Sequence, residues 1–111
     1  MQYVEEAVTI QKTEADKWDV SIFWGCPTRN LGADTIVSSA WSVAGPDETL
    51  LLSQDSISAD GKETTIWIEG GTVGKFYTIT NQITTNNGRI ITGSFLVQVV
   101  ERIFLTQNRC V

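Results

Sequence analysis

The residue types that carry most enzyme chemistry are scarce in this chain of 111 residues. It contains no histidine, so neither a histidine general base nor a histidine-activated thiol is available within it. Adjacent carboxylates occur at Glu5-Glu6 and Asp47-Glu48, but both pairs lie in polar segments and are most simply solvated surface. A glycosidase would need two carboxylates flanking a cleft, which a small domain hardly offers. The sequence therefore predicts a protein that is not an enzyme, with no catalytic residues.

Residues that could bind a metal or a cofactor are equally scarce. Asp60-Gly61 lacks the other oxygen ligands of a calcium loop, and the sequence has no CxxC spacing for zinc. Gly70-Gly71 and Gly74 have the spacing of a phosphate loop, but no Lys-Ser/Thr pair and no helical pattern follow. Cys26 and Cys110 lie far apart, and without a secretory signal free thiols are favoured over a disulfide. We expect no metal and no cofactor.

Length and charge narrow the class of protein. A chain of this length forms one domain, expected to span residues 1–111. The net charge of −5 disfavours binding to nucleic acid or to an anionic membrane. No apolar run approaches the roughly 20 residues of a membrane span. The first ten residues, MQYVEEAVTI, lack the basic and apolar regions of a signal peptide, so we expect assembly in a cytoplasm.

The segment Thr64–Val100 is the one around which the rest must be arranged. Thr64–Glu69 is rich in β-branched and aromatic residues and ends at two glycines, which predicts a strand and a turn. Phe76–Thr85 alternates with a period of two, and Asn86-Asn87-Gly88 then predicts a hairpin of the two-residue type. One face of the first hairpin strand carries Tyr77, Ile79, Asn81 and Ile83. The returning strand places Ile91, Gly93, Phe95, Val97 and Val99 on one face.

The start of this hairpin narrows the architecture. Gly74 precedes the inward-facing Tyr77 by three residues, where immunoglobulin-like sandwiches place a tyrosine whose hydroxyl bonds to nearby backbone. The cysteine and tryptophan spacing of antibody domains is absent. We therefore predict an all-β fold, a single Ig-like antiparallel β-sandwich of about seven strands.

The earlier part of the chain supplies the remaining strands. Trp18–Trp24 alternates cleanly and places its two tryptophans, Val20 and Ile22 on a core face. After the loop 26–33, the run 34–43 is expected to place Val37, Trp41 and Val43 on one face, and Thr49–Ser58 forms a less regular strand. We predict that Trp41, Trp67 and Tyr77 are largely buried.

The two ends of the chain are the candidate docking arms, residues 1–12 and 101–111. The first is an edge strand followed by a solvated turn, the favoured interpretation, or an arm that orders against a partner. The second has three adjacent large apolar residues, so it either extends the last strand or needs a surface to cover it. The candidate interface residues are Tyr3, Val4, Arg102, Ile103, Phe104 and Leu105.

Several of these segments together resemble a known family. The order WDVSIFW, LGADTIVSSAWSV, TTIWIEGG and YTITNQITTNNGR is similar to that of the phage fiber-tail adaptor proteins, small tail proteins of tailed bacteriophages. The resemblance covers roughly residues 16–100. Two positions depart from the family pattern: Ala33 replaces a glycine, and Ile90-Ile91 replaces an acidic position, which alters what the hairpin end presents to a partner. The motif positions are Trp24, Asp34-Thr35-Ile36, Trp41, Trp67, Gly70, Gly71, Tyr77, Asn81, Gly88 and Arg89.

The resemblance implies a non-enzymatic virion component that links a tail tube, nozzle or baseplate to tail fibers. Its partners would be other phage structural proteins, in several symmetry-related copies, with no nucleic acid or membrane. The motif residues would then be scaffold; for Asn81 a structural role is favoured over a partner contact, and Arg89 is more simply a strand-flanking charge. Two alternatives remain open: a capsid or neck decoration protein of the same fold, and a carbohydrate-binding sandwich that uses its tryptophans.

Overall fold

The computed structural model describes residues 2–4, 9–25 and 31–102, and these residues form strands and turns without a helix. No helix in the described part of the chain is therefore long and apolar enough to cross a membrane. The strands are β1 (Gln2–Val4), β2 (Thr9–Lys12), β3 (Lys17–Phe23), β4 (Ile36–Ala44), β5 (Leu50–Ile57), β6 (Glu63–Gly70), β7 (Phe76–Thr85) and β8 (Ile90–Val99).

These strands form two four-stranded sheets that pack face to face. Sheet A has the order β1-β3-β6-β5, and sheet B has the order β2-β8-β7-β4. The prediction of an all-β sandwich is confirmed. Its Ig-like character stays a prediction.

The expectation of a purely antiparallel sandwich is wrong at the N-terminus. β1 pairs in parallel with β3, and β2 pairs in parallel with β8. In the turn after β2, the Asp16 amide donates a hydrogen bond to the Thr13 carbonyl at 3.2 Å. This turn connects β2 to β3, which lies in the opposite sheet. Because β2 and β3 lie in different sheets, they cannot form a hairpin. The N-terminal segment instead provides an edge strand to each sheet.

The core lies between the sheets and follows the alternation of the long hairpin. Tyr77, Ile79 and Ile83 of β7 are fully buried, as is the polar Asn81. Phe95, Val97 and Val99 of the neighbouring β8 lie beside them on the same face of sheet B, which confirms the predicted parity of both strands. The prediction that Tyr77 is largely buried is likewise confirmed. From sheet A the core receives Val20, Ile22, Ile66 and Ile68.

Two predictions of facing are wrong. Val37 is 57 % exposed because the register of β4 against β7 shifts between Ile36 and Ser38, which turns Ile36 inward and Val37 outward. Trp67 is only half-buried, because Ile66 and Ile68 occupy the inward positions of β6 and leave Trp67 on the outer face of sheet A. Trp41 is also half-buried, at the margin of the core.

The hairpin turn differs in type from the prediction. The Gly88 amide donates to the Thr85 carbonyl (3.0 Å), and the Thr85 amide donates to the Arg89 carbonyl (2.9 Å). Gly88 has φ +83°, whereas neither Asn86 nor Asn87 has a positive φ. A two-residue type I′ turn needs positive φ at both central residues. The loop is therefore a three-residue connection ending in a left-handed glycine.

Candidate interaction surfaces

The hairpin tip is fixed by one nearly buried carboxylate, Asp34, which precedes β4. Its Oδ1 accepts from Asn87 Nδ2 at 2.6 Å, and its Oδ2 accepts from Thr85 Oγ1 at 2.8 Å. Arg89 forms an ion pair with the same Oδ2 at 3.1 Å while its own side chain stays more than half exposed. The bonds from Asn87 and Thr85, in that order, hold the pKa of Asp34 below its usual value. Residues far apart in sequence thus meet in one group, Asp34, Thr85, Asn87 and Arg89, which we call the clasp.

A second group of motif residues lies inside the core. Trp24 Nε1 donates to Thr64 Oγ1 at 2.9 Å, and Thr64 Oγ1 donates to Asn81 Oδ1 at 2.7 Å. Asn81 Nδ2 in turn donates to Ser39 Oγ (2.8 Å) and to the Ala40 carbonyl (3.1 Å) on β4. The network crosses from sheet A to the edge of sheet B, so it holds the two sheets in register. All of its buried polar atoms have partners, which a buried network requires.

The third group surrounds the hydroxyl of Tyr77. This hydroxyl donates to Asp47 Oδ1 at 2.7 Å and accepts from the Thr72 amide at 2.9 Å. Asp47 also accepts from the Thr49 hydroxyl, the Thr49 amide and the Thr72 hydroxyl. These bonds, above all those from Thr49 and Tyr77, lower the pKa of Asp47. The predicted tyrosine-to-backbone bond is present.

Gly70 and Gly71 make this corner possible. Both have positive φ, and a Cβ on Gly70 would meet the Thr49 carbonyl oxygen at 2.4 Å. The Gly70 carbonyl accepts from the ammonium of Lys12, a fully buried side chain at the end of β2. Burial lowers the pKa of Lys12. The corner thus ties the first strand of sheet B to the last residue of β6 in sheet A.

The predicted interface residues are only partly placed. Tyr3 and Val4 lie in β1, where their backbones pair with Ser21 and Ile22 of β3. Arg102 is exposed just beyond β8. Ile103, Phe104 and Leu105 lie outside the described residues, as do Cys26 and Cys110. The assignment of docking arms therefore remains a prediction.

The outer face of sheet B is a surface that sequence reasoning missed. Among the residues that the structure describes, it bears no charged side chain, although 19 % of the chain is charged. Cross-strand hydrogen bonds join Thr80 to Ser94 (2.9 Å) and Gln11 to Gln98 (3.1 Å). The outward side chains are Thr9 and Gln11 on β2; Ser38, Ala40, Ser42 and Ala44 on β4; Phe76, Thr78, Thr80, Gln82 and Thr84 on β7; and Ile90, Thr92, Ser94, Leu96 and Gln98 on β8.

The outer face of sheet A differs in charge. It carries Lys17, Asp19, Glu63 and Glu69, with Lys17 and Glu69 forming an exposed ion pair at 3.8 Å. Depletion of charged residues, more than hydrophobicity, distinguishes the centre of protein interfaces from ordinary surface. The neutral face of sheet B is therefore the better candidate interface. The alternating polar positions of β7 already signalled it in the sequence, but only the register with β4 and β8 shows how far it extends.

The tryptophans do not form a platform of the kind that binds sugars. Trp24 is buried, while Trp18 and Trp41 pack against the core. Trp67 alone lies on an outer face, half-buried beside Asp19 and Ser53. Sugar binding favours several exposed rings on one surface, so this arrangement gives the carbohydrate alternative no support.

Comparison with known proteins places the chain in a family. No curated protein matches it. Among solved structures it is similar to a cysteine protease inhibitor of Entamoeba histolytica, with 20 % identity over 87 % of this chain and 94 % of that chain and a TM-score of 0.47. Residues 12–98 match the sequence model of the podophage GP4 fiber-tail adaptor protein gp77. The matched range includes the clasp, the core network and the tyrosine corner, and this chain belongs to the gp77 fiber-tail adaptor family.

Proposed function

We propose that the protein is a non-enzymatic part of the phage virion that links the tail tube, nozzle or baseplate to the tail fibers. The observation that carries this proposal is the family match over residues 12–98. Several symmetry-related copies would bind other phage structural proteins, without nucleic acid or membrane, after assembly in the host cytoplasm.

The structure supports this function because the motif residues stabilise the domain itself, while a separate surface is open to a partner. The polar groups of Asp34, Asn81 and Tyr77 are occupied by contacts within the domain, so they act as scaffold. A rigid domain fixes the distance between two partners, as an adaptor must. The neutral outer face of sheet B is then available for one partner. It measures about 20 by 30 Å, an area of the same order as the roughly 800 Å² that one partner buries in a stable interface.

The experiment is reconstitution on particles. Tails assembled without this protein should lack fibers, and adding the purified protein should restore them, as counted by electron microscopy. Density between tail and fiber is the expected result. Density on the capsid or neck would contradict the tail role and favour a decoration protein, while particles that carry fibers without the protein would contradict the adaptor function itself.

The arms form a second part of this proposal, because Ile103–Leu105 place three large apolar side chains in a row. Each would contribute roughly 1.5–3 kcal/mol if fully buried by a partner. Deletion of residues 102–111 should leave the melting temperature unchanged and abolish joining to tail particles. A truncated protein that unfolds at lower temperature would show that these residues stabilise the domain itself. One that assembles as before would show that they are not needed for docking. Intact protein treated in parallel is the control.

A further inference from the structure

Strand β4 is an edge strand without the usual protection against pairing. Exposed edges attract further strands, and proteins usually blunt them with charge, proline, bulges or short length. β1 and β2 are short, β2 ends in Lys12, and β5 is interrupted by a register shift where Gln54 has φ +53°. β4 has nine residues, IVSSAWSVA, with no charge and no proline. Its one irregularity lies before Ser38, which leaves Ser38–Ala44 regular.

The hydrogen-bond pattern identifies the backbone groups that β4 offers. Backbone bonds join Thr85 to Arg89 and Lys75 to Val99, so the odd-numbered residues of β7 bond to β8. The even-numbered residues of β7 therefore bond to β4, at Ser38, Ala40, Ser42 and Ala44. The N–H and C=O groups of Ser39, Trp41 and Val43 consequently point to the open side, where no strand of the described residues pairs with them.

A groove accompanies this open edge. It lies between the edges of the two sheets, has a volume of about 330 Å³, and is lined by Ala40, Trp41, Leu52, Ser53, Asp55 and Ile66. The indole Nε1 of Trp41 is buried without a hydrogen-bond acceptor among the described residues. Buried donors in native proteins nearly always have partners. An added strand would provide both side chains for the groove and acceptors beside the indole.

The chain itself contains a segment of matching chemistry. Residues 102–111, RIFLTQNRCV, carry Arg102 and Arg109 and no acidic side chain. Since the net charge of the chain is −5, these two arginines leave −7 on residues 1–101. The nine residues after Arg102 would span about 30 Å when extended, the length of a nine-residue strand. Ile103 and Leu105 would share the face that points into the groove.

We propose that the open edge of β4 binds the C-terminal tail of a second copy as an added strand, with Ile103 and Leu105 in the groove beside Trp41. This inference rests on the proposed function, in which the tail is a docking arm. The chain's own tail fits poorly, because β7 and β4 lie between β8 and the open side of β4, which is about 14 Å from β8. Crossing that distance would consume about four residues, Ile103 to Leu105 among them. A head-to-tail contact of this kind repeats from copy to copy and closes into a ring, or continues as an open chain.

Two full-length variants test the two halves of the contact. Val43→Pro removes an outward N–H without removing a bond to β7, so the domain should fold. Ile103→Asp/Leu105→Asp keeps the edge and alters the tail. In sedimentation experiments the parent protein should self-associate, and each variant alone should associate at least tenfold more weakly. An equimolar mixture should form heterodimers, because the tail of the first variant still fits the edge of the second.

The matched control is Ser42→Pro, which loses a bond to β7 and should lower the melting temperature, unlike Val43→Pro. If Val43→Pro also unfolds, a peptide of residues 102–111 added to the parent protein provides the second measurement, and it should break up the oligomers. A parent protein that stays monomeric, variants that associate like the parent, or a mixture without heterodimers overturns the proposal. Failure here would leave fiber attachment intact, so the adaptor function is tested separately by reconstitution.

Discussion

At the scale of single residues, Gly88 shows how a backbone requirement can be separated from packing. Its φ is +83°, yet a Cβ at this position would meet nothing within 4 Å. Gly88→Val should therefore destabilise through backbone strain alone, by about 1–2 kcal/mol, since left-handed conformations are unfavourable for L residues. That corresponds to a melting temperature lower by about 4 °C per kcal/mol in thermal unfolding.

Gly88→Asn is the matched control, because asparagine tolerates the left-handed region better than other residues with a side chain. It should lose less than half as much as valine. Equal losses for both variants would mean that steric contact, not φ, limits this position.

Two carboxylates should make the free energy of unfolding depend on pH in the acidic range. Hydrogen bonds hold the pKa values of Asp34 and Asp47 below the usual value for aspartate, about 3.9 in unfolded chains. As the pH falls below about 5, the unfolded chain takes up protons that the folded protein does not, so the free energy of unfolding declines. The contribution is fully present at neutral pH and is lost as the pH falls through the folded pKa values.

Denaturant titrations at several pH values between 7 and 2 measure this decline. Asp47→Asn should be less stable than the parent at pH 7 and should lose less on acidification, because its side chain does not titrate. Asp60→Asn provides a comparison at an exposed aspartate whose pKa is lowered by Ser58 and the Lys62 backbone instead. An Asp47→Asn variant with the acid dependence of the parent would contradict the role given to the tyrosine corner.

At the scale of elements, the tryptophan that follows β3 and the tryptophan within β6 should differ in how much they stabilise the fold. Trp24 follows β3, is 3 % exposed and holds two buried hydrogen bonds, whereas Trp67 lies half-buried on the outside of sheet A. Trp24→Ala should cost about 3–5 kcal/mol, as is usual for a core aromatic, and Trp67→Ala clearly less. Urea denaturation of both variants measures the difference. A larger loss for Trp67→Ala would reverse this ranking.

Four strands, β4, β6, β7 and β8, show what local sequence can predict. β7 and β8 were predicted correctly, because one face of each is apolar and the other is mostly polar. The facing of β6 was predicted wrongly, because the large apolar side chain of Trp67 was assigned to the core although Glu63 and Glu69 share its face. Thr64, Ile66 and Ile68 form the uncharged, inward face. In β4 a register shift near Val37 reversed the parity, and no residue type marks that shift.

The pairing of strands that are distant in sequence is the other feature of the fold that local sequence patterns do not predict. The parallel contact of β2 with β8 joins segments more than 80 residues apart, as Thr9 with Leu96 shows. Nothing in the residues around Thr9 specifies that partner. The hairpin at Gly88 was predicted because Asn-Gly acts locally, and only its loop length was wrong.

At the scale of the whole molecule, sequence and structure point to different candidate surfaces. The sequence singled out the ends, from the apolar run at Ile103–Leu105. The neutral face of sheet B emerges only when β2, β4, β7 and β8 are assembled side by side, because each strand contributes a few uncharged positions that are unremarkable alone. The C-terminal run follows β8 of sheet B, so one partner contact can use it together with the neutral face, whereas Tyr3 and Val4 of β1 belong to sheet A.

Charge placed on that face should separate binding from folding. Thr92→Glu/Ser94→Lys adds opposite charges at two exposed positions of β8 and keeps the net charge at −5. Surface substitutions of this kind usually change stability by less than about 0.5 kcal/mol, whereas burying the two charges against a partner is unfavourable. The control Lys17→Glu/Glu69→Lys exchanges an existing ion pair on sheet A and also keeps the net charge. In reconstitution on tail particles, the sheet B variant should bind at least tenfold more weakly and the control like the parent. If instead the sheet B variant binds normally and the sheet A exchange does not, the partner docks on the charged face.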